Sequence, residues 1–107
     1  MENYQVYWSK TAKQDLEEII KYLGTMSENV AREKYSLIKE TAEKLKHFPD
    51  KGRIIPELER NNITKYREIV VSPWRLMYKV DQSRVFIMAL IDGRRNIEDI
   101  LLTRQLR

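Results

Sequence analysis

The spacing of apolar residues changes once along this chain, near residue 50, and that change restricts the fold class more than any other feature. Before it, Ala12, Leu16, Ile19, Ile20 and Leu23 fall on one helical stripe. Ala31, Tyr35, Ile38, Ala42 and Leu45 then follow at steps of 4, 3, 4 and 3, a heptad-like seam. After it the period is two. Trp74, Leu76, Tyr78 and Val80 alternate with Arg75, Met77 and Lys79, and residues 85–91 are apolar throughout. Helices gathered in one half and strands in the other predict an α+β domain, not alternating βαβ units.

Local signals divide the two halves further. A short strand is expected over residues 4–8, with Tyr4, Val6 and Trp8 on one face. Thr11 and Gln14 form a capping box for the first helix, and Gly24 marks its expected end. Ser27 is the expected cap of the second helix, which gains one contact from Phe48 before Pro49 closes it. So short a connection makes the helices an antiparallel hairpin, with Lys13, Glu17, Glu33, Lys39, Glu40 and Lys44 facing water. A short strand over residues 53–55 precedes Pro56. Strands over 65–71 and 74–80 flank Ser72-Pro73, a pair suited to a tight turn, and Asp81-Gln82-Ser83 makes the next turn. Residues 85–91 read as a central strand covered on both sides. Asn96 is placed to cap a last helix with Ile97, Ile100 and Leu101 inward, and Leu102, Arg104, Leu106 and Arg107 are expected to form a mobile tail. The order β-α-α-β-β-β-α predicts an antiparallel sheet with the N-terminal helical hairpin packed on one face. The opposite face, carrying the Arg75 row, is expected to be open.

Nothing repeats and no Gly/Ser/Pro-rich linker interrupts the chain, so residues 1–107 are expected to form one domain. The absence of cysteine excludes disulfides and cysteine metal sites, and no metal or cofactor is expected. No apolar run approaches the roughly 18 residues that span a bilayer. The N-terminus lacks a basic segment followed by an apolar one, so a cytoplasmic location without membrane association is expected. The net charge of +4 is unevenly placed. Residues 1–50 carry eight Lys/Arg against nine Asp/Glu, whereas residues 51–107 carry twelve against seven and hold nine of the ten arginines. Guanidinium is a planar fork suited to phosphate and carboxylate. An Arg-rich half therefore points to a polyanionic target or an acidic protein partner.

The segment Tyr66-Arg67-Glu68-Ile69-Val70-Val71-Ser72-Pro73-Trp74-Arg75-Leu76-Met77-Tyr78-Lys79-Val80 resembles the "YRELIVGPYRIIYRV" hairpin of the RelE/ParE toxin superfamily. Ala89-Leu90-Ile91-Asp92-Gly93-Arg94-Arg95 resembles its closing "VIHGRR" strand end, and Phe48-Pro49, Gly52-Arg53 and Pro56-Glu57-Leu58 are similar to its "FP…GR…PEL" connection. The resemblance implies the toxin of a type II toxin–antitoxin system, neutralised by a cognate antitoxin that wraps it, the pair repressing its own operon. Operator DNA is then met only through the antitoxin. RelE-like members cut mRNA on the ribosome, whereas ParE-like members poison DNA gyrase.

RNA cleavage without metal needs a base for the 2′-hydroxyl, cations for the phosphorane and an acid for the leaving oxygen. Arg67, Arg75 and Arg94 are the catalytic candidates in that case, with Arg95 beside them; all four are also the candidates for target or antitoxin binding. The acid and base are poorly supplied. The single histidine, His47, lies at the end of the second helix, where a cation suits the helix dipole. No Tyr follows Tyr78, and the superfamily's usual His before Gly-Arg-Arg is Asp92. Glu68 or Asp92 stands in as a base, weakened because neighbouring arginines lower a carboxylate's pKa. The residues favour ParE-like gyrase inhibition over a RelE-like ribonuclease, with a non-toxic antitoxin-binding module as a further alternative. Trp8 and Trp74 read as core.

Overall fold

The computed structural model describes residues 3–105. Strand β1 (Gln5–Trp8) leads into α1 (Lys10–Met26) and α2 (Glu28–Glu43), which ends in a 3-10 turn at Lys44–Lys46. There follow β2 (Arg53–Ile54), a one-turn helix α3 (Pro56–Glu59), β3 (Tyr66–Val71), β4 (Trp74–Asp81), β5 (Arg84–Asp92) and α4 (Ile97–Thr103). The α+β expectation holds, with α3 added. Its signal is Pro56 at the first helical position with Glu57 and Glu59 in the first turn.

Helix α1 starts two residues earlier than the capping box implied. Ser9 is the residue still extended before the first turn, so its hydroxyl is free to accept from the Ala12 amide at 3.1 Å. Gly24 does not stop the helix. Ser27 does, donating its amide to the Leu23 carbonyl at 2.9 Å while its hydroxyl accepts from Val30 and opens α2. The second helix meets the sheet through Ala31, Ile38, Ala42 and Leu45. Tyr35 and Phe48, expected inside, are exposed. Tyr35 sits at the margin of the seam, where the Lys39 ammonium lies 5.1 Å from the Trp8 ring and 6.0 Å from the Tyr35 ring.

The sheet order is β1-β5-β4-β3-β2. Strands joined by tight turns pair antiparallel, but β1 is not joined to β5 by a turn and pairs with it in parallel. The sheet is therefore mostly, not wholly, antiparallel. A register shift between Met77 and Tyr78, which face Ala89 and Ile87, leaves Met88 over. This bulge changes the parity of β5. Val85, Ile87 and Leu90 enter the core under the helical hairpin, whereas Ala89 and Ile91 enter a second one. That is why the strand reads as apolar at every position.

The second core corrects the expectation of an open face. Ile55, Leu58, Tyr66, Met77, Ala89, Ile91, Ile97 and Leu101 pack together there, with α3 and α4 lying over much of the sheet's far side. Asn96 caps α4 as its position implied, accepting from the Asp99 amide. Beyond Trp8, β5 loses its strand neighbour, and α1 takes over. Asp15, nearly buried, accepts the Leu90 amide at 3.0 Å and a two-pronged bond from Arg104 at 2.7 and 2.8 Å. Arg104 is thus tied down, contrary to a mobile tail. Leu106 and Arg107 lie outside the described residues.

Candidate functional site

Arg75 is on the far face, as its alternation required, but it is not available there. Only 8% of the residue is exposed. Its Nε and Nη2 donate to Glu68 at 2.6 and 2.9 Å, and its Nη1 and Nη2 donate to Glu57 at 2.8 and 2.6 Å. Glu68, itself buried, also accepts from Arg53 Nε at 2.7 Å. The cluster holds two guanidiniums and two carboxylates, so its formal charge cancels. Hydrogen bonding from Arg75 draws the Glu57 carboxyl below its usual range, and the same bond holds Arg75 firmly charged. Glu57 lies in the Pro56-Glu57-Leu58 stretch, but nothing along the chain marks it as the partner of Arg75, 18 residues away.

Arg67 does not join it. The register pairs Arg67 with Tyr78 and Glu68 with Met77, so Arg67 faces the helical hairpin and Arg75 the opposite side. Two arginines on paired strands converge only when their registers share parity. Arg67 Nη1 donates to the Gly52 carbonyl at 2.8 Å. The Gly52 amide donates to the buried Tyr78 hydroxyl at 2.9 Å, and that hydroxyl donates to the Pro49 carbonyl at 2.7 Å. Burial pushes the Tyr78 phenol up. Arg67 and Tyr78 together hold the loop that enters β2, and a Cβ on Gly52 would lie 2.6 Å from the Glu68 carbonyl oxygen.

Arg94 and Arg95 are exposed where β5 leaves the sheet. Arg94 donates to Asp92 at 3.0 and 2.6 Å, which lowers the Asp92 carboxyl to about 2. Both arginines rim a groove of about 720 Å³ between α1 and the Pro73 turn, with Tyr22, Met26 and Trp74 as apolar lining and Arg104 at its base. Tyr22 and Met26 are 66% and 64% exposed. Of the four expected arginines, the structure brings only Arg94 and Arg95 together at an accessible site.

The sequence profile of the family described as "ParE toxin of type II toxin-antitoxin system, parDE" matches residues 6–97. The chain belongs to the ParE toxin family. A solved structure titled "Chromosomal ParDE TA system from P. aeruginosa" shares this fold, with a TM-score of 0.67 at 17% identity over 83% of this chain and 95% of that one. No curated protein matches in sequence. For this ParE-family toxin the inventory of acid–base groups is thin. His47 is exposed beside Phe48 at the end of the 3-10 turn, away from Arg94 and Arg95. Asp92 is bound to Arg94, and Glu68 to two arginines. Trp74 is buried and Trp8 partly so, both in the core under the hairpin. Among the described residues no group of His, Cys, Asp or Glu is placed to hold a metal ion, and no helix is long and apolar enough to cross a membrane.

Proposed function

We propose that this toxin inhibits DNA gyrase in the cytoplasm by protein contact, without making or breaking a bond itself, and that a cognate antitoxin neutralises it. One observation carries the reading. The guanidiniums that a ribonuclease would direct at a phosphorane are already matched inside the molecule, Arg75 by Glu57 and Glu68 and Arg94 by Asp92. A carboxyl with a pKa of about 2 is also a poor proton acceptor near neutrality. Cleavage of mRNA therefore loses two of its candidate cations, Arg75 and Arg94, and Asp92 as its base, and family membership supports the gyrase reading.

The antitoxin would cover the groove along α1, where exposed Tyr22 and Met26 stand beside Arg94 and Arg95. A segment that folds on binding and alternates apolar with acidic residues suits that lining. Operator DNA would be reached through the antitoxin alone. Purified toxin added to gyrase and relaxed plasmid tests the reading, with primer extension on a translated message run in parallel. Expected are blocked supercoiling, accumulated cleaved complexes and uncut message. Unchanged supercoiling with new mRNA ends overturns it in favour of the ribonuclease. Expression without growth arrest, with gyrase unaffected, leaves a non-toxic antitoxin-binding module instead.

A further inference from the structure

Three of the cations that internal pairing leaves over lie on or beside the sheet against aromatic rings, apart from the Arg75 cluster. Arg53, Arg75, Arg94 and Arg104 are held within 3 Å of carboxylates. Lys65, Lys79 and Arg84 are in no ion pair among the described residues, and each lies against an aromatic ring. Lys79 and Arg84 are 5.8 and 5.5 Å from the Phe86 centroid, and Lys65 is 5.3 Å from that of Tyr66.

Register places these rings in one row. Tyr7 pairs with Phe86 across β1 and β5, Phe86 with Lys79 across β5 and β4, and Lys79 with Tyr66 across β4 and β3. Val6, Trp8, Val85 and Ile87 point into the core under the helical hairpin, so the row lies on the other face. Tyr66 belongs to the second core, Phe86 is half-buried, and Tyr7 at the sheet edge is 44% exposed. The second core therefore stops partway along the row and leaves its outer end uncovered. Tyr7 and Phe86 stack with centroids 5.7 Å apart and ring planes 24° from parallel. Arg94 and Arg95 follow Asp92 at the other end of β5, which is six residues and about 20 Å from Phe86 at roughly 3.3 Å per residue.

We infer that this row is a stacking platform for unpaired nucleotides, with a base on Tyr7 and Phe86 and phosphates on Lys79, Arg84 and Lys65. Stacked rings on an open sheet surface flanked by cations free of carboxylates match what single-stranded nucleic acid requires, π-faces for bases and positive charge along the backbone. Each cation is shielded from water on its ring side and open on the other, and so is positioned for a phosphate at small entropic cost. An acidic peptide would use the cations but would leave the Tyr7 and Phe86 rings without a planar partner. The inference requires no cleavage and does not depend on gyrase being the target.

Fluorescence anisotropy with labelled oligouridylate and oligothymidylate of about ten nucleotides, and a duplex of the same length, tests it on the full chain. Expected is salt-dependent binding of a single strand in preference to the duplex, and preference for either sugar supports the platform. Tyr7→Leu should weaken binding about tenfold with the salt slope unchanged. Lys79→Gln and Arg84→Gln should each reduce that slope by roughly 0.7, whereas Lys21→Gln on α1 leaves it intact. Melting curves establish that each variant is folded, and Tyr7 and Arg84 are exposed enough for their replacement to leave the cores whole. The platform is overturned by no binding at low salt, by equal binding of the duplex, or by Lys21→Gln acting as strongly as Lys79→Gln. Full displacement of the oligonucleotide by polyglutamate at equal charge would also overturn it and assign the surface to an acidic protein.

Discussion

Replacing Arg75 with alanine should cripple the fold. The guanidinium makes four hydrogen bonds to two carboxylates, and the Glu68 side chain is wholly buried. Without Arg75, Glu68 keeps only Arg53, whose side chain is 60% exposed, and Glu57 loses the contact that docks α3. Removing one partner of a buried ion pair costs about 3–5 kcal/mol, a large part of the roughly 5–15 kcal/mol that holds a domain together. At about 4–8 °C per kcal/mol for a domain near this size, the midpoint should fall by at least ~12 °C. Circular-dichroism melting, with urea unfolding alongside, measures it. The pH dependence should change as well. Glu57 sits below its ordinary 4.5 because Arg75 donates to it. Its stabilisation is complete above that value and is lost as pH falls through the folded pKa. In the alanine variant that acid-side loss should shrink. A variant melting within about 2 °C of the parent, too little for even 1 kcal/mol, would refute the buried-network reasoning.

Other outcomes follow from neighbouring contacts. Tyr78→Phe leaves the Gly52 amide and Pro49 carbonyl without their shared hydroxyl, and should cost about 1–3 kcal/mol with faster proteolysis in the 49–52 loop. Gly52→Ala should destabilise by about 1–3 kcal/mol or more in urea, because its Cβ would lie 2.6 Å from a backbone oxygen and 2.7 Å from the Tyr78 hydroxyl. Trp74→Ala should cost about 3–5 kcal/mol by the same assay, since it removes a large buried ring from the core under the hairpin. NMR titration of Asp92 should give a pKa of about 2, returning toward its ordinary 3.8 in Arg94→Ala.

The sequence exposed what depends on periodicity and hid what depends on register. Helical stripes and the alternation of β4 predicted the hairpin, its face of the sheet and the buried Trp74, because each is a property of neighbours along the chain. Parity between strands is different. Arg67 and Arg75 lie on opposite faces because Arg67 pairs with Tyr78 and Val70 with Arg75, an offset set by the Ser72-Pro73 turn. Burial of Arg75 depends on Glu57, 18 positions away on a one-turn helix that no stripe announces. Helix α3 is too short for helical periodicity, and the Ile97, Ile100 and Leu101 stripe of α4 does not say which face of the sheet it covers, so the second core was likewise concealed. Arg94 and Arg95 were correctly placed beyond the last strand, since Asp92-Gly93 interrupts the apolar run there. The Tyr7–Phe86–Lys79 row is invisible along the chain because β1 and β5 are distant in sequence and meet only in the folded sheet.

A neutral copy of the buried network separates a structural arginine from a functional one most directly. In Arg75→Met/Glu57→Gln/Glu68→Gln the volume is kept and every buried charge of the triad is removed, a change that folded domains often tolerate or gain from. Inhibition of gyrase supercoiling by the purified triple variant, with its melting midpoint measured beside it, is the decisive quantity. A folded protein that still blocks supercoiling is the predicted result. A folded protein that no longer does so would show that Arg75 acts on the target and does more than hold the sheet.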